Sequence, residues 1–450
     1  MELKERILNY KDEIFNNLSK LVAYKSVLAT PLENAPFGKK NAECLNEFLT
    51  IAKDYGLKTK NLDGYCGYVE LGEGNELIGI VAHLDIVPEG NGWDTDPFKA
   101  TIKDNKIYGR GTSDDKGGAI ASLTALKIIK DLNIPLNKRI RLIVGCNEET
   151  GSNCMKHYVE KEGDIDIGFT PDADFPVIHG EKGMIKAIFK CKNESNFSIN
   201  GGVVVNAVSD NCKVEIENNL YDKNLLEKYF TENNIEYKIS SVEDKDIIEV
   251  KGISAHASTP ELGTNAISHT VMALKEANFN NELIDFYSKY IKLETTGESL
   301  GIACSDEYGS LTCVNGMIGT EENEIIGTLD IRVPVTINPK GIKDKFSLIH
   351  NKNTTIQIES LSEPLFYPVD SPLVKTLMKA YQEVTGDIES KPLTIGGGTY
   401  AKSMKNCVGF GCAFPNTDNR IHNSNEFVEI NELLLQVEIY INAILGLQSI

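Results

Sequence analysis

The sequence lacks the features that mark membrane-spanning and secreted proteins. No uninterrupted apolar run approaches the roughly 18 residues that cross a bilayer. The opening MELKERILNYKDEI is charged and has no apolar core of a secretory signal. These absences predict a cytoplasmic protein without a membrane partner.

The cysteines show no pairing pattern, and basic residues are few relative to acidic ones. None of the ten cysteines forms a CxxC motif, so reduced thiols are expected rather than disulfides or a cysteine-rich metal site. The net charge of −19 argues against nucleic acid or an anionic membrane surface as the main partner. With 450 residues, the chain is long enough for two domains with separate cores.

The stretch 78–118 holds the first chemical signal. It begins with the apolar run IGIVAHLDIVPEG, in which His83 and Asp85 are two positions apart. On a strand such residues point to the same face, so the Asp85 carboxylate is expected to orient the imidazole behind a metal. The stretch ends in the acidic turn GRGTSDDKGG, which contains Asp114 between glycines.

A strand, an acidic loop and a helix alternate three times in the first part of the chain. The acidic turn leads into a helical pattern over 119–132, and strand-like runs at 139–145 and 165–169 end just before acidic segments. This alternation predicts an α/β fold with a mixed, mostly parallel sheet covered on both faces. Catalytic groups of such sheets gather at the carboxyl ends of the strands.

After Gly183 the pattern changes to alternating, strand-like segments separated by two helical stretches. This predicts an inserted α+β domain with an antiparallel sheet. The helical pattern of the first domain returns from Ser371. The predicted division is a catalytic, metal-binding domain at 1–183 and 366–450, with an inserted domain at 184–365.

Acidic and imidazole side chains at the predicted strand ends and in a late loop are candidate metal ligands. The candidates are His83, Asp114, Glu149, Asp172 and His422, with Glu148 and Asp85 beside them. Imidazole and carboxylate without thiolate suit Zn²⁺, Mn²⁺ or Co²⁺ in a hydrolytic site. Three carboxylates and a bridging hydroxide would bring two divalent ions close to neutrality. Each residue alone is more often structural or on the surface, so the prediction depends on the combination.

The adjacent pair Glu148–Glu149 is informative because two carboxylates do not easily share a dry pocket as anions. The conflict is resolved if one of them binds metal and the other stays unligated as a proton shuttle.

Six motifs in order along the whole chain resemble those of one family. They are HLD with DPF, GRGTSDDKGG, NEETGS, PDADFP with GEKG, IGGGTYA and RIHNSNEF. Together they resemble the dinuclear zinc metallopeptidases, a family that includes carboxypeptidase G, the carnosinases and succinyl-diaminopimelate desuccinylase. Within it, DDKGG, PDADFP with GEKG, and IGGGTYA most resemble the PepV-type bacterial dipeptidases.

The resemblance implies a role for each candidate ligand. Asp114 would bridge two divalent ions, most simply zinc, with manganese or cobalt as alternatives. His83 and Asp172 would complete one ion, and Glu149 and His422 the other.

The resemblance also implies roles for the neighbours of these ligands. Asp85 would stand behind His83, and Glu148 would be the general base. Asp174 is the alternative to Asp172, which is preferred because the family's ligand stands in P-D-A ahead of the Phe-Pro pair.

In the inserted domain, the resemblance implies a lid that contributes to substrate binding. His256 in GISAHAST would stabilise the tetrahedral oxyanion, and Asn206 in GGVVVNAVSD would contact the oxyanion or the substrate carboxylate. Arg332 in LDIRVP offers a bidentate grip on that carboxylate, and Gly396 and Gly397 offer backbone amides. The alternative for His256 is a structural loop histidine, and the alternative for Arg332 is an arginine that faces solvent. For the glycines it is a phosphate loop, which the absence of GK[ST] disfavours.

The implied function is a metal-dependent dipeptidase that hydrolyses the peptide bond of unblocked dipeptides through a metal-bridging water. The partner would be a small peptide substrate, and the longer lid of the PepV-type branch implies a monomer. An N-acyl-amino-acid deacylase or carboxypeptidase with the same two-metal site is the alternative. A non-catalytic metal or peptide binder would require a missing ligand or base, and none is missing.

Overall fold

The computed structural model describes residues 3–193, 197–346, 349 and 353–450. The chain forms two compact units. The first unit comprises Met1–Gly180, Tyr367–Leu393 and Gly398–Ile450, and the second comprises Glu181–Phe366 with Thr394–Gly397.

A mixed sheet forms the centre of the first unit. Its middle strands run parallel in the order Arg139–Gly145, Leu77–His83, Ile167–Thr170 and Cys407–Gly409. Antiparallel strands flank them: Lys58–Leu62 and Cys66–Leu71 on one side, Ile178–Glu181 on the other. Every residue of Leu77–His83 is buried, as its continuous apolar run requires for a strand covered on both faces.

Helices and short strands complete the first unit. The α-helices are Leu3–Leu8, Lys11–Val22, Lys39–Asp54, Lys116–Asp131, Asn153–Glu162, Pro372–Thr385 and Ile430–Leu447, with a 3₁₀ helix at Tyr400–Ser403. The short strands are Thr101–Lys103, Lys106–Tyr108 and Phe427–Glu429, the pair Ala173–Asp174 and Cys412–Ala413, and Leu393–Ile395 at the boundary between the units.

The C-terminal helix Ile430–Leu447 is long and apolar enough to cross a membrane by length and composition, and 56% of it is buried inside the protein. It packs on the helices Pro372–Thr385 and Lys116–Asp131. These contacts are those of a helix packed in a protein core.

Two glycines allow the helix Lys116–Asp131 to begin in a crowded place. A Cβ atom on Gly117 would lie 2.1 Å from the Thr112 carbonyl oxygen, and one on Gly118 would lie 2.1 Å from Asp115 Oδ1. These distances are far inside van der Waals contact. The DDKGG motif therefore brings the acidic turn close against the first turn of the helix.

The second unit contains a large antiparallel sheet. Every pairing described in this sheet is antiparallel. The strand order is Glu236–Val242, Lys245–Lys251, Asn211–Glu217, Phe197–Gly201, Ile318–Glu321, Glu324–Val333, Gly183–Lys192 and Thr354–Ser362, with Thr312–Val314 also paired to Glu324–Val333.

The helices of the second unit bury apolar residues with the sheet in a separate core. They are Lys223–Glu232, Ala266–Glu276, Glu282–Tyr290 and Lys340–Phe346, with a 3₁₀ helix at Pro260–Leu262. The remaining short strands are Ser305–Asp306, Gly309–Ser310 and Leu365–Phe366. The predicted fold class, a mixed α/β sheet with helices plus an inserted antiparallel α+β part, is confirmed.

The cross-strand pair Phe189–Gly327 gives a stability prediction. The fully buried Phe189 ring, which packs on Phe286 at 5.2 Å, would lie 2.1 Å from a Cβ atom on Gly327. Gly327→Ala should therefore lower the free energy of unfolding by about 1–3 kcal/mol through overpacking, as measured by urea unfolding. Gly341→Ala is the control, because nothing lies within 4 Å of that Cβ position. Equal stability of the two variants would contradict the prediction.

Candidate metal centre

His83 is the last residue of the central strand, and its ring is fixed by the main chain. Its Nδ1 lies 2.9 Å from the Asp85 carbonyl oxygen. A carbonyl only accepts, so Nδ1 carries a hydrogen and Nε2 is the nitrogen that faces the carboxylates. That Nε2 lies 2.9 Å from Asp114 Oδ1 and 3.6 Å from Asp172 Oδ2.

Asp114 faces two histidines with its two carboxylate oxygens. Oδ1 lies 2.9 Å from His83 Nε2, and Oδ2 lies 2.9 Å from His422 Nε2. His422 Nε2 is also 3.2 Å from the Glu149 carboxylate. The five predicted ligands thus come together around the Asp114 carboxylate, although they come from positions 83 to 422.

Two groups of side chains in the described chain are compact enough to hold an ion. Ligand atoms of His83, Asp114 and Glu149 all lie within 4.8 Å of one another, and so do those of His83, Glu148 and Asp172. Asp172 belongs to one of these groups, whereas the alternative ligand Asp174 belongs to neither. Glu148 lies close enough to the centre to act as either a ligand or an acid–base group.

The centre is strongly acidic, and its carboxylates raise the pKa of its two histidines. Hydrogen bonds to Asp114 and Glu149 raise the pKa of His422 to about 11. Burial opposes protonation of His83, but Asp172 and Asp114 raise its pKa well above the ordinary value. The carboxylates therefore favour the protonated, positively charged form of both imidazoles.

Burial and neighbouring negative charge also raise the pKa of two carboxyl groups in the centre. Burial and then Asp172 raise the pKa of Glu148 well above its usual range, and burial and then Asp114 raise that of Glu149 to about 7. Positive charge would relieve this repulsion. The donor set, imidazole nitrogen and carboxylate oxygen without thiolate, fits Zn²⁺, Mn²⁺ or Co²⁺.

Asp85 acts differently from the expectation based on strand periodicity. The strand ends at His83, so the rule for alternating faces does not extend to Asp85. Its carbonyl oxygen holds the imidazole, whereas its carboxylate oxygen is 3.6 Å from Nδ1. The carboxylate instead accepts the backbone N–H groups of Glu148 at 3.0 Å and Glu149 at 3.1 Å, because a buried anion needs donors. It therefore fixes the turn that presents both glutamates.

Glu426 is a residue of this centre that the sequence reasoning missed. It is 1% exposed, and its carboxylate accepts backbone N–H groups of the loop that contains Asp114. Its other contact is an ion pair with Arg110 at 2.7 Å. The available signal was its place in RIHNSNEF, four residues after His422, but spacing alone does not show which loop it contacts.

Asp115 and Lys116 are two further buried charged residues of this region. Asp115 Oδ2 accepts the His83 backbone N–H at 3.2 Å. Lys116 Nζ donates to the carbonyl oxygens of Leu21 at 3.0 Å and Tyr24 at 2.9 Å. The DDK segment therefore attaches the Asp114 loop to the central strand and to the N-terminal helices.

In the second unit, His256 is exposed and its tautomer is fixed by Ser258. The Ser258 backbone N–H donates to His256 Nδ1 at 3.2 Å, and the Ser258 hydroxyl lies 2.7 Å from the same nitrogen. Nδ1 is therefore an acceptor, and Nε2 carries the hydrogen. An isolated bridge joins Ala207 to His256, and Ala257 N–H donates to the Asn206 carbonyl oxygen at 2.9 Å. Asn206 and His256 thus lie on adjoining segments.

Arg332 is buried, and its guanidinium contacts the second unit itself. It donates to both carboxylate oxygens of Asp330, at 2.5 and 3.0 Å, and to the Gly396 carbonyl oxygen at 2.8 Å. The resemblance assigns the Arg332 guanidinium to a substrate carboxylate. In the structure, its paired N–H donors bind Asp330 instead. Arg332 holds the glycine turn, and a Cβ atom on Gly396 would lie 2.1 Å from Ser258 Cβ.

Comparison with known proteins supports one family. Residues 79–446 match the family described as Peptidase family M20/M25/M40. A Bacillus subtilis (strain 168) protein named "Putative dipeptidase YtjP" is 34% identical over 468 residues, covering 99% of both chains. Human carnosine dipeptidase 1 has a TM-score of 0.60 at 16% identity over 100% of both chains.

A further solved structure is the M20 family metallo-carboxypeptidase Sso-CP2 from Sulfolobus solfataricus. It has a TM-score of 0.59 at 18% identity and covers 98% of this chain and 100% of its own. At such identities the solved structures show a shared fold only. The family match over most of the sequence and the identity to the Bacillus protein show that this chain belongs to peptidase family M20/M25/M40.

Proposed function

We propose that this chain is a metal-dependent dipeptidase that hydrolyses the peptide bond of unblocked dipeptides. The observation that carries the proposal is the contact of Asp114 with both His83 and His422, which is the arrangement of a carboxylate shared by two ions. The family membership and the dipeptidase name of the Bacillus relative support the same activity.

Two divalent ions, most simply zinc with manganese or cobalt as alternatives, fit the five ligands. His83 and Asp172 would hold one, Glu149 and His422 would hold the other, and Asp114 would be shared by both. Bound there, such ions supply Lewis acidity towards the peptide carbonyl and lower the pKa of water. The catalytic domain would be 1–183 with 366–450, and 184–365 the lid.

Glu148 is the proposed general base and acid. Asp85 binds its backbone N–H, and its carboxylate lies beside His83 and Asp172. In the ligand sets proposed above, Glu148 is not a ligand. It would take a proton from the attacking water and pass it to the leaving amine. Asp85 contributes by holding His83 and the glutamate turn.

The lid residues are proposed to bind the substrate and its oxyanion. His256 carries a hydrogen on Nε2, and an N–H group is the donor that an oxyanion requires. Asn206 lies on the adjoining segment. The amides of Gly396 and Gly397 would bind the substrate carboxylate. Arg332 would act through this turn, which it holds by the Gly396 carbonyl oxygen.

We also propose that the protein works as a cytoplasmic monomer on small peptides. The second candidate function is an N-acyl-amino-acid deacylase or carboxypeptidase with the same ligands. The fold shared with the Sulfolobus metallo-carboxypeptidase favours keeping this candidate.

The substrate class decides between the two candidates. Zinc-loaded protein should cleave free dipeptides with a kcat/KM at least tenfold above that for the same dipeptides with an acetylated N-terminus. Chelation should abolish this activity, and added zinc should restore it. Faster cleavage of the acetylated series would favour the deacylase or carboxypeptidase.

Glu148→Ala should lower kcat by a factor of about 10²–10⁴, since it removes the proton shuttle, while two metal ions per chain remain bound. Turnover and metal content are measured on the same preparation. Glu160→Ala, on the exposed face of the helix Asn153–Glu162, is the control and should match the wild type. Activity of Glu148→Ala within tenfold of the wild type would exclude Glu148 as the base.

His256→Ala should lower kcat by a factor of about 10²–10³, as for other oxyanion donors, with little change in metal content. Ser258→Ala removes the hydroxyl but keeps the backbone N–H on Nδ1, so its effect should be much smaller. Steady-state kinetics with a free dipeptide measure both. A wild-type kcat for His256→Ala would remove this histidine from the reaction.

A further inference from the structure

We propose that Glu426 is a positioning residue that sets the affinity for one of the two ions. Its loss should lower the affinity for the ion held by Glu149 and His422. The affinity for the ion held by His83 and Asp172 should stay nearly unchanged. The inference depends on the proposed two-ion site and adds to it a residue with no ligand role.

The Glu426 carboxylate encloses the loop that contains Asp114. Oε1 accepts the backbone N–H groups of Gly111 at 3.1 Å, Ser113 at 2.9 Å and Asp114 at 3.2 Å. Oε2 accepts the Gly111 N–H at 3.1 Å and Arg110 Nη1 at 2.7 Å. Such converging N–H groups form a concave anion site. This one side chain therefore binds three backbone N–H groups of the loop.

The same residue belongs to the loop that carries His422. His422 lies four residues before Glu426, in a left-handed backbone conformation with φ of 63°. Its side chain is 53% exposed, so packing alone does not fix it. Asn419 Nδ2 also donates to Ser113 Oγ at 2.6 Å. The distance between His422 and Asp114 is thus set by contacts between two loops, and Glu426 makes most of them.

The other half of the centre is held by the sheet. His83 ends the fully buried strand Leu77–His83, and Asp172 follows the strand Ile167–Thr170. Asp115 Oδ2 accepts the His83 backbone N–H, which keeps Asp114 beside His83 without Glu426. We therefore expect the two halves to respond unequally to loss of Glu426.

Glu426 also forms an ion pair inside the first unit. Its ion pair with Arg110 is almost fully buried, with side-chain exposures of 2% for Arg110 and 1% for Glu426. The Arg110 guanidinium also lies over the Trp93 ring at 5.4 Å. The same carboxylate binds Arg110 and the loop N–H groups, so its loss removes the contacts that position the loop.

The test is a zinc titration of the metal-free, full-length chain by calorimetry with a competing chelator. In Glu426→Ala, the Kd of one ion, assigned to the site of Glu149 and His422, should rise about 10–100-fold, the range found when groups that orient metal ligands are removed. The Kd of the other ion should stay within threefold. Glu426→Gln keeps an amide oxygen that accepts the loop N–H groups, so its effect should be smaller.

Glu70→Gln is the matched control. Glu70 accepts from Arg141 at 2.6 Å in another largely buried ion pair of the first unit, so its loss should lower the Tm and leave both Kd values unchanged. If Glu426→Ala does not fold, Glu426→Gln decides the question. An equal rise in both Kd values, or Kd values that change no more than in Glu70→Gln, would overturn the inference. A wild-type chain that binds fewer than two ions would instead overturn the two-ion site, and this inference with it.

Discussion

Asp114 contacts His83 with one carboxylate oxygen and His422 with the other, at 2.9 Å in both cases. A carboxylate that must serve two partners at once tolerates little rotation, so its backbone has to be held firmly. Neighbouring residues provide this: Asp115 and Lys116 attach the loop to the central strand and the N-terminal helices, and Glu426 binds its N–H groups. The proposed chemistry depends on that constraint.

Much of the architecture and the ligand set could be predicted from the sequence. The apolar run before His83 and the acidic segments after the strand-like runs indicate residues at the carboxyl ends of parallel strands, and the structure brings these residues together. The choice of Asp172 over Asp174 came from the family motif, because the spacing of PDADFP allows either. The glycines of DDKGG were visible, but their close approach to Asp115 required coordinates.

The residues that sequence reasoning missed or read differently share a physical cause. The side chains of Asp85, Glu426 and Arg332 form hydrogen bonds to the main chain of residues elsewhere in the fold. Side-chain type and spacing do not encode which backbone group a carboxylate or guanidinium will meet. Burial then decides the role, because a buried charge must find donors or acceptors wherever the fold offers them.

The strand Cys407–Gly409 has a consequence for how the chain is made. It pairs in parallel with Ile167–Thr170, although more than two hundred residues separate them in the sequence. During synthesis, the ribosome releases all of the second unit before this strand exists. Until then, the edge of Ile167–Thr170 that pairs with Cys407–Gly409 has no partner strand. Unpaired strand edges in folding intermediates promote aggregation, which chaperones counteract.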